Sequence, residues 1–185
     1  SSLGALRMFH RLGARSMTLT HGKNVPWADS ATDTPAVAGL SAFGEDVVRE
    51  MNRLGMLIDL SHVTSDAMED AIRVSRAPVI FSHSSARALC DHVRNVPDHV
   101  LRLLPKNGGV VMVSFVPGFT TPEAMGWDNA KDREQERAGQ AMPNDDAGVK
   151  AALDAWVAAH PRPMVTVAQV ADHIDHIRTV SGIDH

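Results

Sequence analysis

An α/β fold built on a parallel sheet is the class that this sequence predicts, on three observations. Apolar runs alternate with amphipathic helical segments four times along the 185 residues. The runs are almost continuously apolar rather than alternating, as strands covered on both faces are. A 44% hydrophobic and 22% charged composition belongs to a globular chain and not to a disordered one. Two architectures satisfy this pattern, a doubly wound open sheet and a (β/α) barrel. No G-x-G-x-x-G follows a strand and no P-loop is present, which lowers nucleotide and dinucleotide binding.

The elements follow in order. Leu3, Leu6, Phe9 and Leu12 recur at helical spacing, with Ser1 or Ser2 as N-cap and Gly13 as stop. "RSMTLTH" reads as a short strand ending at His21, and "GKNVPWADSATDTPAVAG" as a loop. In "SAFGEDVVREMNRLG", Phe43, Val47, Met51 and Leu54 share a helical face that Gly55 ends. "MLIDLSH" is the second strand, and Thr64 or Ser65 caps the helix "TSDAMEDAIRVS". "APVIFSH" is a strand, Pro97 to Leu104 a short helix with Asp98 in its first turn, and "GGVVMVSF" a strand. Residues 117–144 are polar and irregular around "DNAKDREQER", a solvated excursion or helix. "DDAGVKAALDAWVAAH" and "TVAQVADHIDHIRTVSG" are helices.

Several function classes drop out. Net charge is -4 without a basic run, which argues against nucleic acid as a partner. The single cysteine, Cys90, excludes a disulfide framework and a cysteine-based zinc site. No apolar run approaches the ~20 residues of a transmembrane helix, and no signal peptide is visible; the compartment stays open between cytoplasmic and extracytoplasmic.

Ten histidines are present. His21, His62 and His83 each stand at the C-terminal end of a strand, where β/α folds place function. Imidazoles delivered from separate strands to one rim suit a catalytic metal with an open position for water. Arg94, on the loop after "VIFSH", lies above the same rim and could clamp a carboxylate with its fork of donors, although on pattern alone a surface arginine in an ion pair is the favoured reading. His173 and His176, on a helix with Asp172 and Asp175, read as a solvated face. His10, His92, His99 and His160 read as surface positions.

"MTLTHGKNVPWADS", "GLSAFGEDVVREMNRLGMLIDLSHVT", "APVIFSHSSARALCDHVRNVPDHVL" and "GGVVMVSF" together resemble the renal (membrane) dipeptidase family of zinc peptidases. The likeness runs collinearly to about Phe115 and resumes at "VADHIDHIRTVSGIDH", leaving a variable polar excursion at about 120–162. It implies an incomplete (β/α)8 TIM-type barrel over residues 1–185, about strands 4–7 with flanking helices, cut from the interior of a longer protein. It implies a zinc-dependent dipeptidase acting on small dipeptides with a free C-terminal carboxylate, two zinc ions per complete centre, and room for a homodimer. Residue by residue, it implies His62 and His83 as ligands of one zinc, His21 as the catalytic histidine that contacts the substrate near the scissile carbonyl, and Arg94 as the holder of the substrate carboxylate. Phe119 falls where the family carries a substrate-facing aromatic. The family's His-x-Asp ligand pair, bridging glutamate and acid/base aspartate have no match here, and Glu45, Glu50 and Asp59 do not replace them. The resemblance therefore implies that these 185 residues alone bind zinc weakly and are inactive. The alternatives are another amidohydrolase-like metal hydrolase and a non-catalytic β/α binding module.

Overall fold

Strands Ser16–Thr18 (β1), Leu57–Asp59 (β2), Ile80–Ser84 (β3) and Val110–Val113 (β4) form one parallel sheet in the computed structural model, which describes residues 2–185. Their spatial order is their order in the chain. A doubly wound sheet reverses at a switch point, so this order removes that alternative and leaves the wall of a barrel. Thr18 pairs with Asp59, and Asp59 with Ile80, so β1 and β2 end at one level and β3 begins there and runs on to Ser84. Between β3 and β4 the register slips by one residue: three steps on β3, from Phe81 to Ser84, face two on β4, from Val111 to Val113. The extra residue falls at Ser82–His83, and such a bulge re-aims side chains.

Helices fill the crossovers and the periphery: Leu3–Arg11 (α1), Ala42–Leu54 (α2), Ser65–Val74 (α3), Asp98–Leu101 (α4), Leu104–Asn107 (α5), Pro117–Thr120 (α6), Pro122–Ala141 (α7), Asp146–Ala159 (α8) and Val167–Ser181 (α9). Their starts are set by side chains that satisfy free backbone N–H groups. Ser2 accepts from Ala5, Ser41 from Gly44 and Thr64 from Ala67; the alternative cap Ser1 lies outside the described residues. α2 stops at Gly55, which takes the left-handed conformation at φ +71°. α9 opens with a reciprocal box between Thr166 and Gln169. No helix among the described residues is long and apolar enough to cross a membrane.

The core lies between the sheet and α2 to α5. Val48, Met51, Ile58, Leu60, Met68, Phe81, Leu101 and Leu104 are fully buried, each worth about 1.5–3 kcal/mol by area removed from water. Of the four residues predicted to share the α2 face, Val47 and Met51 are buried, while Phe43 and Leu54 pack against the core from its edge.

One expectation is corrected and one alternative is decided. The strands are shorter than their apolar runs, because β2 leaves the sheet once the Asp59 carboxylate has taken the Ser61 N–H. Residues 122–141, read as a solvated excursion or helix, take the second form and make a 20-residue helix. Only Ala124 and Ala138 are buried along it, so the apolar periodicity that signals a helix is missing. Its helix-favouring Ala, Glu, Gln and Arg content and the Thr121 cap before Pro122 supply the helix instead. The Trp127 indole donates to the His160 carbonyl at 2.6 Å, and Arg162 forks onto Asp128 at 2.7 and 2.6 Å, pinning α7 to the end of α8.

Glu50 of α2 joins two helices electrostatically. Its buried carboxylate accepts from Arg53 at 2.8 and 2.6 Å and from Arg7 of α1 at 2.6 Å. Arg53 first, and then Arg7, hold it at about 2, below its usual 4.5. A depressed carboxylate stabilises above its unfolded pKa, and that contribution is lost as pH falls through the folded value. Glu50→Gln is expected to cost about 1 kcal/mol at neutral pH, a modest figure because both arginines are half exposed. The difference from wild type should shrink as pH falls from 4.5 towards 2, as measured by urea denaturation across that range.

Candidate active site

The ends of the first three strands and the loop after β3 deliver one cluster of basic side chains. His21 follows β1 and is exposed. Its ring lies 4.4 Å from that of His62, centroid to centroid. His62 follows β2, and its Nε2 faces the Nε2 of His83 in β3 at 2.9 Å. Arg94 comes within 3.5 Å of the His83 carbonyl and rests its guanidinium 5.3 Å above the Phe119 ring. All four residues singled out from the sequence are therefore neighbours.

Local backbone chemistry explains how each is held. His62 sits at φ +78°, a left-handed conformation that histidine tolerates better than most side chains. Its carbonyl accepts from Ala31 at 2.7 Å. The buried Ser30 hydroxyl reaches the His21 carbonyl at 2.6 Å and the His62 carbonyl at 3.4 Å, tying both histidine backbones to one side chain. The loop carrying Ser30 is ordered by the Asp29 carboxylate, which accepts from the backbones of Ala36, Val37 and Gly39. Beyond β3, buried Asn95 accepts from the Ser85 N–H and donates to the carbonyls of Cys90 and Phe119. Arg94 and Phe119 are thereby fixed from the same residue pair.

Electrostatics follow from that packing. Burial first, then the charge of Arg94, push His62 down to about 4, with His21 and His83 adding to the effect. Burial and Arg94 also lower His83. Both rings are neutral at pH 7, as metal-ligating imidazoles must be. Arg94 is 6% exposed, its Nε has no partner, and no carboxylate pairs with it among the described residues. Burial lowers its guanidinium to about 10, which leaves it charged at neutral pH.

Asp59, which the sequence did not promote, is the hub under the rim. Its Oδ2 accepts from Thr18 at 2.7 Å and from the Ser82 hydroxyl at 2.5 Å; its Oδ1 accepts the N–H groups of Ser61 and Ser82, each at 3.0 Å. Burial raises this carboxyl, but the Ser82, Ser61 and Thr18 hydrogen bonds outweigh it and the net direction is down. One signal was available: a lone carboxylate in an apolar strand has to find several donors.

His173 corrects the reading of α9. It is buried, not solvated: Nδ1 accepts the Ala86 N–H at 3.0 Å, so Nε2 donates to the Thr120 carbonyl at 2.9 Å. His176 is partly buried and bonds Asp98 at 2.8 Å. His92 also leaves the surface class, since its ring stacks 4.4 Å from Phe119 and its Nδ1 accepts the Arg94 N–H.

As to metal, His62 and His83 offer two neutral nitrogens aimed at each other. That fits two adjacent ligands of one ion and does not complete its shell, which takes three or four protein ligands. Among the described residues no group of three His, Cys, Asp or Glu side chains converges as a metal site would need.

A sequentially wound β/α wall with imidazoles at its strand ends is part of a TIM-type barrel. Residues 1–185 match throughout the family described as membrane dipeptidase, peptidase family M19, and the chain belongs to that family. It is 46% identical over 186 residues to Dipeptidase tcpJ of Claviceps purpurea, covering 100% of this chain and 35% of that protein. It is 41% identical over 187 residues to human Dipeptidase 3, covering 98% and 30%. The crystal structure of the probable dipeptidase PvdM from Pseudomonas aeruginosa superposes with a TM-score of 0.81 at 30% identity, covering 100% of this chain and 52% of that one. The chain thus spans about a third of the length of the curated relatives it matches.

The buried His173 bridge yields a stability test. His173→Leu leaves the Ala86 N–H and the Thr120 carbonyl without partners, at about 1–3 kcal/mol for each buried group. A loss of about 2–4 kcal/mol is expected in chemical denaturation, against little change for His160→Ala on the exposed end of α8.

Proposed function

We propose that this chain carries the carboxylate-binding side and two metal ligands of a zinc dipeptidase centre. Arg94 is the observation that supports the reading most. A charged guanidinium removed from water without an anionic partner is costly, and this one lies beside two neutral imidazoles at a strand-end rim. A dipeptide's free C-terminal carboxylate supplies the missing anion in a planar, forked form that Arg matches and Lys does not. Phe119 backs the guanidinium on one face.

The substrate class follows from that pairing: with its carboxylate on Arg94 and its scissile carbonyl near the imidazoles, a dipeptide would place one residue between the two. His62 and His83 would hold the metal through Nε2. Bound zinc supplies Lewis-acid polarisation of a carbonyl and of the attacking water. His21, exposed next to His62, is placed to donate a hydrogen bond to the carbonyl oxygen as charge develops on it. The further ligands and the acid/base group that the family uses have no matching positions within residues 1–185, so this reading assigns the chain one side of the centre.

The test uses the intact protein with a dipeptide and its C-terminal amide. The amide is expected to lose about a hundredfold or more in kcat/KM, the scale of truncating one partner of a buried charge pair. Arg94→Lys should impose a similar loss on the free acid and little on the amide. Equal cleavage of acid and amide would assign the site to another amidohydrolase-like hydrolase. Binding of the dipeptide without turnover would assign it to a non-catalytic module.

A further inference from the structure

We propose that Asp59 is a positioning residue that acts through the Ser82 hydroxyl to hold His83 with its proton on Nδ1, leaving Nε2 as a bare lone pair at the rim. The assignment follows by elimination over three hydrogen bonds. Asp59 is an ionised carboxylate surrounded by donors, so it can only accept. Ser82 Oγ lies 2.5 Å from Asp59 Oδ2 and 2.7 Å from His83 Nδ1. A hydroxyl has a single proton, and the carboxylate takes it. The contact with His83 is then one in which Ser82 accepts, so Nδ1 is the donor. A neutral ring with its proton on Nδ1 has none on Nε2. That Nε2 is the atom facing His62 Nε2 at 2.9 Å.

The one-residue slip between β3 and β4 makes the relay geometrically available. In regular strand, consecutive side chains point to opposite faces. Ser82 and His83 are consecutive and bond each other, which the bulge permits. The Ser61 hydroxyl accepts the His83 N–H at 3.0 Å and fixes the backbone from which the ring projects. Partners of this kind orient metal-ligating histidines and set their tautomer in metal sites generally. Here the carboxylate works at one remove, through a serine.

The positions of the donors around Asp59 allow a sharp substitution. In Asp59→Asn the backbone N–H groups of Ser61 and Ser82 require an acceptor at the Oδ1 position. The amide NH2 is therefore forced onto the Oδ2 side, where it donates to Ser82 and Thr18. The Ser82 proton is then released towards His83 Nδ1, and the ring inverts to the Nε2-protonated form. Ser82→Ala removes the acceptor and should leave a mixture of tautomers, whereas Ser82→Thr keeps a hydroxyl and should restore the wild-type state.

The experiment is nitrogen NMR of the histidine rings in the intact, metal-stripped, isotope-labelled protein at neutral pH, with His83 assigned by the signals lost in His83→Asn. The expected result is Nδ1–H in wild type and Ser82→Thr, Nε2–H in Asp59→Asn, and loss of the Nδ1–H preference in Ser82→Ala. Zinc affinity by chelator competition should fall about 10–100-fold in Asp59→Asn. An unchanged Nδ1–H signal in both Asp59→Asn and Ser82→Ala would overturn the proposal and leave Asp59 a structural tie. If Asp59→Asn fails to fold, the Ser82→Ala and Ser82→Thr pair decides alone. The affinity arm rests on the metal-site reading above, but the tautomer is read without metal or substrate. Failure of the dipeptidase reading therefore leaves it standing, and its own failure leaves that reading intact.

Discussion

A carboxylate sealed inside an apolar strand has to have its lone pairs met by protein donors, and Asp59 meets that demand by drawing donors from three neighbouring strands to one point. Thr18 comes from β1, Ser61 from the turn after β2, and Ser82 from β3. The last two serines immediately precede His62 and His83. The repeated Ser-His pair is therefore one device used twice: the serine is gathered beneath the rim, and the next residue is delivered to it. Parallel strands pair only through slanted backbone bonds, and β2 and β3 share a single register pair at Asp59–Ile80. Side-chain bonds to one carboxylate hold that junction where the ladder is thin.

The cluster above the carboxylate is built from groups that suppress one another's charge. Burial first, and then Arg94, lower the two facing imidazoles, and burial in turn presses on Arg94 itself. One full positive charge thus persists, mostly out of water, beside two imidazoles. Histidine at His21, more exposed than its neighbours, is the member of the group best placed to meet a ligand arriving from water.

How much of this was legible in the sequence depended on the physical signal each feature left. Strand runs and the α2 face were readable because burial imposes periodicity, and His21, His62 and His83 because they interrupt apolar runs at the same place in each β/α unit. α7 was left between a solvated excursion and a helix because a helix held by propensity and a cap leaves no apolar stripe. His173 was misread because polar neighbours such as Asp172 and Asp175 disguised one buried ring. Its two bonds reach residues 53 and 87 positions away, and no local pattern encodes them. Asp59 and Ser82 were passed over for a related reason: their role is set by a β3–β4 slip that exists only after the sheet has paired.

The left-handed backbone at His62 has a consequence for anyone who alters that position. An L-residue other than Gly, Asn, Asp or His pays about 1–2 kcal/mol to sit there. An alanine placed at residue 62 would thus remove an imidazole and, separately, press the Ala31 and Ser30 contacts to reopen. The two losses would be inseparable in a single measurement. Asparagine, which accepts the same backbone, removes the ring alone and is the substitution whose phenotype can be attributed to chemistry.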